Sequence, residues 1–273
     1  MGRMHSARSL PILLSGHPPE FLVHDEVEAC PYLDGERARL PLRLPARPLR
    51  GRELDERLAG GDRRNGPLLY RCTCPECRAC RPLRIDAAKF DVRRRHLRVW
   101  RKASTCVQVE LGPPESSDER VALYNAHLHG RGLGRGGPAI DRDGYHHFLA
   151  ETCCDTFELR YRVEGKLVGV AITDRSSAAL SAVYCYYDPA YAALSLGTFS
   201  VLKQLALCQQ WGLRHLYLGL YVIASPVMAY KARFFPHEQR IEGVWRELGT
   251  IEEADAAEAE EKAAVARRAG RTE

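Results

Sequence analysis

No apolar run in the chain approaches the roughly 18–20 residues needed to cross a bilayer. The early Leu10-Pro11-Ile12-Leu13-Leu14 run is broken by proline and is too short for the core of a secretion signal. A dominant charge is also missing, since 40 Lys+Arg stand against 35 Asp+Glu for a net charge of +5. No internal repeat is evident, which sets aside solenoids and propellers. These absences lead to the expectation of a cytoplasmic globular protein. Its 273 residues, 45% hydrophobic and 27% charged, suffice for one large domain or two of about 100–150 residues. Met1-Gly2 with Ser6 fits the loose myristoylation pattern, but no second anchor accompanies it.

Cysteine, by contrast, is concentrated. Cys72, Cys74, Cys77 and Cys80 fall within nine residues, Cys72 to Cys80, and two successive C-x2-C steps link Cys74, Cys77 and Cys80. Such spacing lets one tight loop point successive sulfurs at one ion or cluster. Cys30-Pro31 or Cys72 supplies a fourth thiol, so that Cys30, Cys74, Cys77 and Cys80 form a candidate metal set. Zinc and a 4Fe–4S cluster suit it equally, and redox-active thiols or an unliganded loop are the competing readings. Cys106, Cys185 and Cys208 sit in apolar contexts and read as core.

Downstream, Arg93, Arg94, Arg95, Arg98, Arg101 and Lys102 place six cations in ten residues around Leu97 and Trp100. A helix is expected from a cap at Asp91 to about Ala103, with an apolar face to pack and a basic face suited to a phosphate backbone. A solvated surface helix is the plainer alternative. Strands are expected at 83–90, 106–111, 157–163, 167–173, 180–187 and 215–222. Helices are expected at 116–133, 141–153 and 198–211. Glu164-Gly165-Lys166 is a hairpin signal. Residues 1–65 show little periodicity. From Glu252 the chain is acidic, then basic, without an apolar stripe, and is expected to be a solvated helix or a disordered end. The order is that of an α/β (α+β) protein with a central sheet.

Ser195-Leu196-Gly197-Thr198 opens a helix, where free N–H groups and the positive dipole end favour an anion or an acyl oxyanion. A plain cap is the alternative. Alternating tyrosines in Tyr217-Leu218-Gly219-Leu220-Tyr221 share a strand face, and Tyr230-Lys231 begins a basic aromatic segment.

Taken in order, Cys30-Pro31-Tyr32-Leu33, Tyr70-Arg71 with Cys74, Cys77 and Cys80, Pro82-Leu83-Arg84-Ile85, Tyr187-Asp188-Pro189, Ser195-Leu196-Gly197-Thr198, Tyr217-Leu218-Gly219, Met228 with Tyr230-Lys231, and Gly243 with Trp245 resemble the aminoacyl-tRNA–protein transferases. That family holds the arginyl enzymes and the bacterial aspartate/glutamate leucyltransferases, and the short length resembles the bacterial branch. The resemblance covers roughly residues 20–246. It implies an acetyltransferase-like (GNAT-like) mixed sheet flanked by helices, as one unit or a tandem pair. It further implies a Cys-containing region 1–112, a catalytic region 113–248 and a charged tail 249–273.

The implied partners are charged tRNA and proteins with N-terminal Asp or Glu, with no DNA and no membrane. The implied reaction is transfer of leucine or arginine, marking the acceptor for degradation. Arg84 and Lys231 are the candidate cations for the acidic acceptor. Tyr184, Tyr186, Ser195, Gly197, Tyr217, Tyr221 and Tyr230 complete the expected substrate site, and the basic helix would hold tRNA. No catalytic acid or base is singled out. The chain departs from the family at Cys72, where Pro is usual and a local four-thiol site becomes possible, and at Val222 and Val227, where Trp and Lys are usual, which leaves the transferred amino acid open. An acetyl-CoA-dependent N-acetyltransferase would need a fuller Gly-rich loop. A non-catalytic metal-bearing RNA-binding protein would not need the tyrosines.

Overall fold

The computed structural model describes residues 10–134, 137–225 and 227–250, with a few further positions in the tail. The Met1-Gly2…Ser6 pattern and most of the segment from Glu252 lie outside the described residues. The first part of the chain forms β1 (Ile12–Leu14), β2 (Glu20–His24), β3 (Val27–Ala29), β4 (Arg37–Arg39), β5 (Leu42–Pro45), α1 (Gly51–Ala59), β6 (Arg63–Asn65) and β7 (Leu68–Tyr70). Five of these strands make an antiparallel sheet in the order β1-β2-β5-β7-β6, while β3 and β4 pair as a separate ribbon. Their lengths of three to five residues explain why no alternation is legible there. In α1, Leu54 and Leu58 stand at i and i+4 and are buried, and Glu53 accepts the Arg50 N–H at the helix start.

The remainder forms β8 (Arg81–Asp86), α2 (Arg94–Ser104), β9 (Gln108–Gly112), α3 (Asp118–Gly130), α4 (Arg142–Tyr145) with a π turn at His146–Ala150, β10 (Thr156–Val163), β11 (Lys166–Arg175) and β12 (Ala179–Tyr187). A 3-10 turn at Pro189–Leu194 leads into α5 (Leu196–Gln210), β13 (His215–Tyr221), a second 3-10 turn at Ala229–Arg233, β14 (His237–Ile241) and β15 (Val244–Leu248). Eight strands make a mixed sheet ordered β15-β14-β8-β13-β12-β11-β10-β9. The protein is thus a mixed α/β structure with two multi-stranded sheets. The β14–β15 hairpin, to which the sequence assigned no element, turns through Glu242 (φ 49°) and Gly243 (φ 86°).

Two helical layers cover the large sheet. Val201, Leu202 and Leu205 of α5 pack with Leu83, Ile85, Leu216 and Leu218 of the sheet, and Val99 and Trp100 of α2 join them. A separate cluster sets Leu123 and Tyr124 of α3 against Leu167, Val170 and Ile172 of β11. Strand β11 is therefore buried on both faces from Leu167 to Asp174, as expected of a strand between two layers.

Only β12 and β13 run parallel, joined by α5. Their ladder is limited to Ala179–Ser181 against His215–Tyr217. Beyond it β13 carries a bulge at Tyr217/Gly219 in its pairing with β8. The two central strands therefore form a fork, and the first sheet reaches into it.

Candidate substrate site

The fork is entered by Arg63, a residue that the sequence reading did not select. Its side chain comes from β6, at the edge of the first sheet. Nη1 donates to Ser181 Oγ at 3.0 Å and Nη2 to the Ala182 carbonyl at 3.0 Å. These bonds occupy polar groups on β12 just where the ladder to β13 ends. The guanidinium also lies flat against Gly219, where a Cβ would come within 2.7 Å of Arg63 Cζ. Gly219 is at φ +83°, so backbone conformation and close approach both call for glycine. Arg63 is only 9% exposed.

Lys231 meets the same strand one residue on, donating from Nζ to the Leu220 carbonyl at 2.6 Å. Burial, followed by the field of Arg63, brings its ammonium down to about 7. Tyr230 beside it is 41% exposed and marks the opening to solvent. Tyr32 and Tyr70 also feel the charge of Arg63 and stand near Cys72 and Cys80, and burial raises both phenols, keeping them protonated. Among the described residues neither Arg63 nor Lys231 has a carboxylate partner.

Arg84 stands differently. Its Nε is paired to Glu238, its Nη1 donates to Tyr217 Oη at 3.0 Å, and its guanidinium stacks on Trp245 at 4.2 Å from the ring centroid. A cation already matched by a carboxylate and an aromatic face offers little to an incoming acid. Tyr217 and Tyr221 are buried in the core clusters at the same end of β13.

Tyr184 and Tyr186 lie in the α3 layer instead. Tyr186 is fully buried with its hydroxyl 2.5 Å from that of Tyr145. Tyr184 packs on Tyr124 and Phe148. The tyrosine face expected to bind substrate is here divided between core and fork.

Two elements read separately from sequence meet in space. A cleft of about 280 Å³ is lined by Arg95, Arg98, Val99 and Lys102 of α2 and by Ala193, Leu194 and Ser195. Ser195 takes a left-handed conformation (φ 52°, ψ 47°) at the start of α5, with no side-chain cap bond. Gly197 lies in the first turn, where a Cβ would meet only ordinary contact. Arg94, Arg98, Arg101 and Lys102 are exposed and have no acidic partner among the described residues. Arg93 pairs with Asp91, and Arg95 donates to the Arg233 carbonyl. Underneath, His96 stacks on Phe234 at 5.4 Å between ring centroids, which fixes the basic face outward.

The cysteine loop closes without a metal cage. Among the described residues no three Cys, His, Asp or Glu side chains converge to hold a metal ion. Cys30 Sγ accepts the Tyr32 N–H at 3.5 Å, and Cys77 Sγ accepts the Ala79 N–H at 3.5 Å. Burial raises the Cys77 thiol. Arg78 Nη1 ties the loop by donating to the Cys74 and Cys77 carbonyls. Cys30, Cys74, Cys77 and Cys80, as arranged, do not fit zinc or a 4Fe–4S cluster. No helix among the described residues is long and apolar enough to cross a membrane.

Comparison with known proteins decides the family. Residues 28–98 match the family description "Arginine-tRNA-protein transferase, N terminus", and residues 119–241 match "Arginine-tRNA-protein transferase, C terminus". The chain belongs to this transferase family. The aspartate/glutamate leucyltransferase of Halorhodospira halophila is 40% identical over 222 residues, 80% of this chain and 92% of its own length. That of Alkalilimnicola ehrlichii is 38% identical over 248 residues, 90% of this chain and 98% of its own. Among solved structures, L-PGS from Bacillus licheniformis gives a TM-score of 0.44 at 12% identity, covering 62% of this chain and 58% of that one. In the transferase described here, the two family halves meet at the fork. Arg63 comes from the N-terminal match, while Ser181, Gly219 and Lys231 come from the C-terminal match.

Proposed function

We propose that the chain transfers an amino acid, leucine in first place, from its charged tRNA to the N-terminal residue of proteins that begin with Asp or Glu. The observation that carries this is the 40% identity to a named aspartate/glutamate leucyltransferase across 92% of its length. The enzyme is an aminoacyltransferase of the N-end rule type. The chemistry needs little from the protein beyond placement. The acceptor α-amine, of pKa about 7.7–8.0, attacks the carbonyl of the aminoacyl ester. A C–N bond forms, the C–O bond to the terminal ribose breaks, and the proton lost by nitrogen goes to the departing ribose oxygen. An activated ester and a half-deprotonated amine make positioning the larger part of the catalysis.

In this reading, the exposed cations of α2 hold the tRNA backbone, and the cleft they share with Ser195 receives the strand near its charged end. Gly197 lets the start of α5 approach it. The pairing of a basic helix with the turn before α5 supports that direction of entry. Tyr217, Tyr221 and Tyr230 border the acceptor side with Lys231. The fold is read as acetyltransferase-like, supported by the parallel fork between β12 and β13 with its crossover helix α5. Region 1–112 contributes acceptor recognition, region 113–248 the donor side, and the tail 249–273 no chemistry. The cysteine loop pins the Tyr32 segment near the fork. The enzyme works in the cytoplasm on charged tRNA and acidic N-termini, with neither DNA nor membrane as partner.

The test is transfer of labelled leucine and arginine, each from its own tRNA, to peptides beginning Asp, Glu or Ala. Leucine should label the Asp and Glu peptides and leave the Ala peptide blank. Labelling by neither amino acid would overturn the assignment.

A further inference from the structure

Burying one cation without a counter-ion is costly, and burying two side by side adds their repulsion. The fork contains such a pair, with Arg63 buried and Lys231 half-buried. Arg63 is 9% exposed and bonded only to neutral oxygens, Ser181 Oγ and the Ala182 carbonyl. Lys231 donates to the Leu220 carbonyl, again neutral. Their heads address consecutive residues of β13, Arg63 against Gly219 and Lys231 on Leu220. The contrast with the rest of the molecule is sharp. Arg64, the next residue, is paired bidentately with Asp174, Arg120 with Glu158, and Arg84 with Glu238. Among the described residues these guanidinium groups thus have carboxylates of their own, and the pair at the fork does not.

We infer that Arg63 and Lys231 together form the pocket for the side-chain carboxylate of the acceptor's N-terminal Asp or Glu, the carboxylate being the counter-ion that the fork lacks. This rests on the transfer reading given above. It transfers the role that Arg84 was expected to fill to a residue 21 positions earlier in the chain. The surroundings select a carboxylate over a phosphate. Tyr32, Tyr70 and Tyr230 stand in the field of Arg63 as neutral phenols, whereas a polynucleotide calls for a track of exposed cations. The track lies on α2 instead. Peptide entry past the exposed Tyr230 would then bring the α-amine along β13 toward the donor side. Asn and Gln, isosteric but neutral, would leave both cations uncompensated.

Calorimetric binding of short peptides beginning Asp, Glu, Asn or Gln tests this without requiring transfer. The native protein should bind the Asp and Glu peptides at least tenfold tighter than their amides. Lys231→Met and Arg63→Gln should each weaken the acidic peptides about tenfold or more and change the amides less than twofold. Arg63→Lys should recover part of the loss. Thermal unfolding checks that each variant folds, and if Arg63→Gln does not, Lys231→Met decides. Retention of the full acid-over-amide preference in a folded variant would overturn the inference. So would a loss confined to tRNA affinity in a filter-binding assay, which would make the pair a phosphate site. If the preference follows the two cations but no labelled amino acid is transferred, the pocket stands and the transfer reading falls.

Discussion

At the scale of single residues, the site is governed by which charges are already answered. Arg84 and Lys231 looked alike in the sequence, each a cation in a family motif, but Glu238 and Trp245 occupy the first, and among the described residues a backbone carbonyl and no carboxylate meets the second. The unanswered charge has a thermodynamic signature. Burial, with Arg63 facing it from β6, lowers the folded-state value of Lys231 from 10.5 to about 7. Between those two pH values the unfolded chain binds more protons than the folded one, so this site makes stability rise with pH across that window. Below about pH 7 the ammonium is charged in both states and the full penalty of burying it is present. Lys231→Met should therefore raise stability at pH 6, by a few kcal/mol at most, and the gain should shrink toward pH 10. Urea midpoints of variant and native protein at pH 6 and 9.5 measure the difference. An advantage equal at both pH values would mean that the buried charge is not its source.

At the scale of elements, α2 shows how far pattern alone carries. Six cations around Leu97 and Trp100 foretold a helix with one basic face, and α2 has it, but it starts after Arg93 and not at Asp91, and it packs through Val99 and Trp100 while Leu97 stays exposed. The hairpin β10–β11 was equally plain because Glu164 and Gly165 supply the positive φ angles it needs. The three-residue strands of the first sheet were not, since alternation needs more residues than they have. Nor was Arg63. Its role depends on Ser181, 118 residues away, and local sequence offers only a pair of arginines beside Gly60-Gly61. The meeting of α2 with Ser195 was likewise invisible until α5 brought the turn back across the sheet. That meeting has a measurable consequence. Arg98 and Lys102 line the cleft without acidic partners among the described residues, so their charge is available to tRNA. Arg98→Ala with Lys102→Ala should weaken tRNA binding regardless of its sequence, and reduce the slope of log affinity against log salt by roughly 0.7 per lost phosphate contact. A filter-binding salt series reads both effects, and an unchanged slope would remove this face from the tRNA site.

At the scale of the whole molecule, acceptor recognition and sheet assembly are the same event. The first sheet docks onto the second through adjacent residues of β6. Arg63 enters the fork, while Arg64 pairs with Asp174 on β11 at 2.9 Å, with side chains 3% and 2% exposed. Thr156 Oγ1 donates to the same carboxylate at 2.7 Å, and Arg64 Nη1 to the Gly66 and Glu151 carbonyls. On another side, Trp245 Nε1 donates to the Ala59 carbonyl at 3.0 Å, tying β15 to α1. With such ties the two sheets should unfold together, although each has strands and apolar contacts of its own. Arg64→Met would leave Asp174 buried and unpaired, a cost of about 3–5 kcal/mol, and would also loosen Arg63 by one residue's leverage. Single-tryptophan variants separate the two regions: Trp245 reports the seam with α1, and Trp211, stacked under Arg175, reports the large sheet. In urea their fluorescence midpoints should coincide, and in the Arg64→Met background both should fall together along with affinity for the Asp peptide. If Trp245 changes first while Trp211 holds, the seam opens on its own. The acceptor pocket would then be assembled by docking of the first sheet, not built into a permanent core.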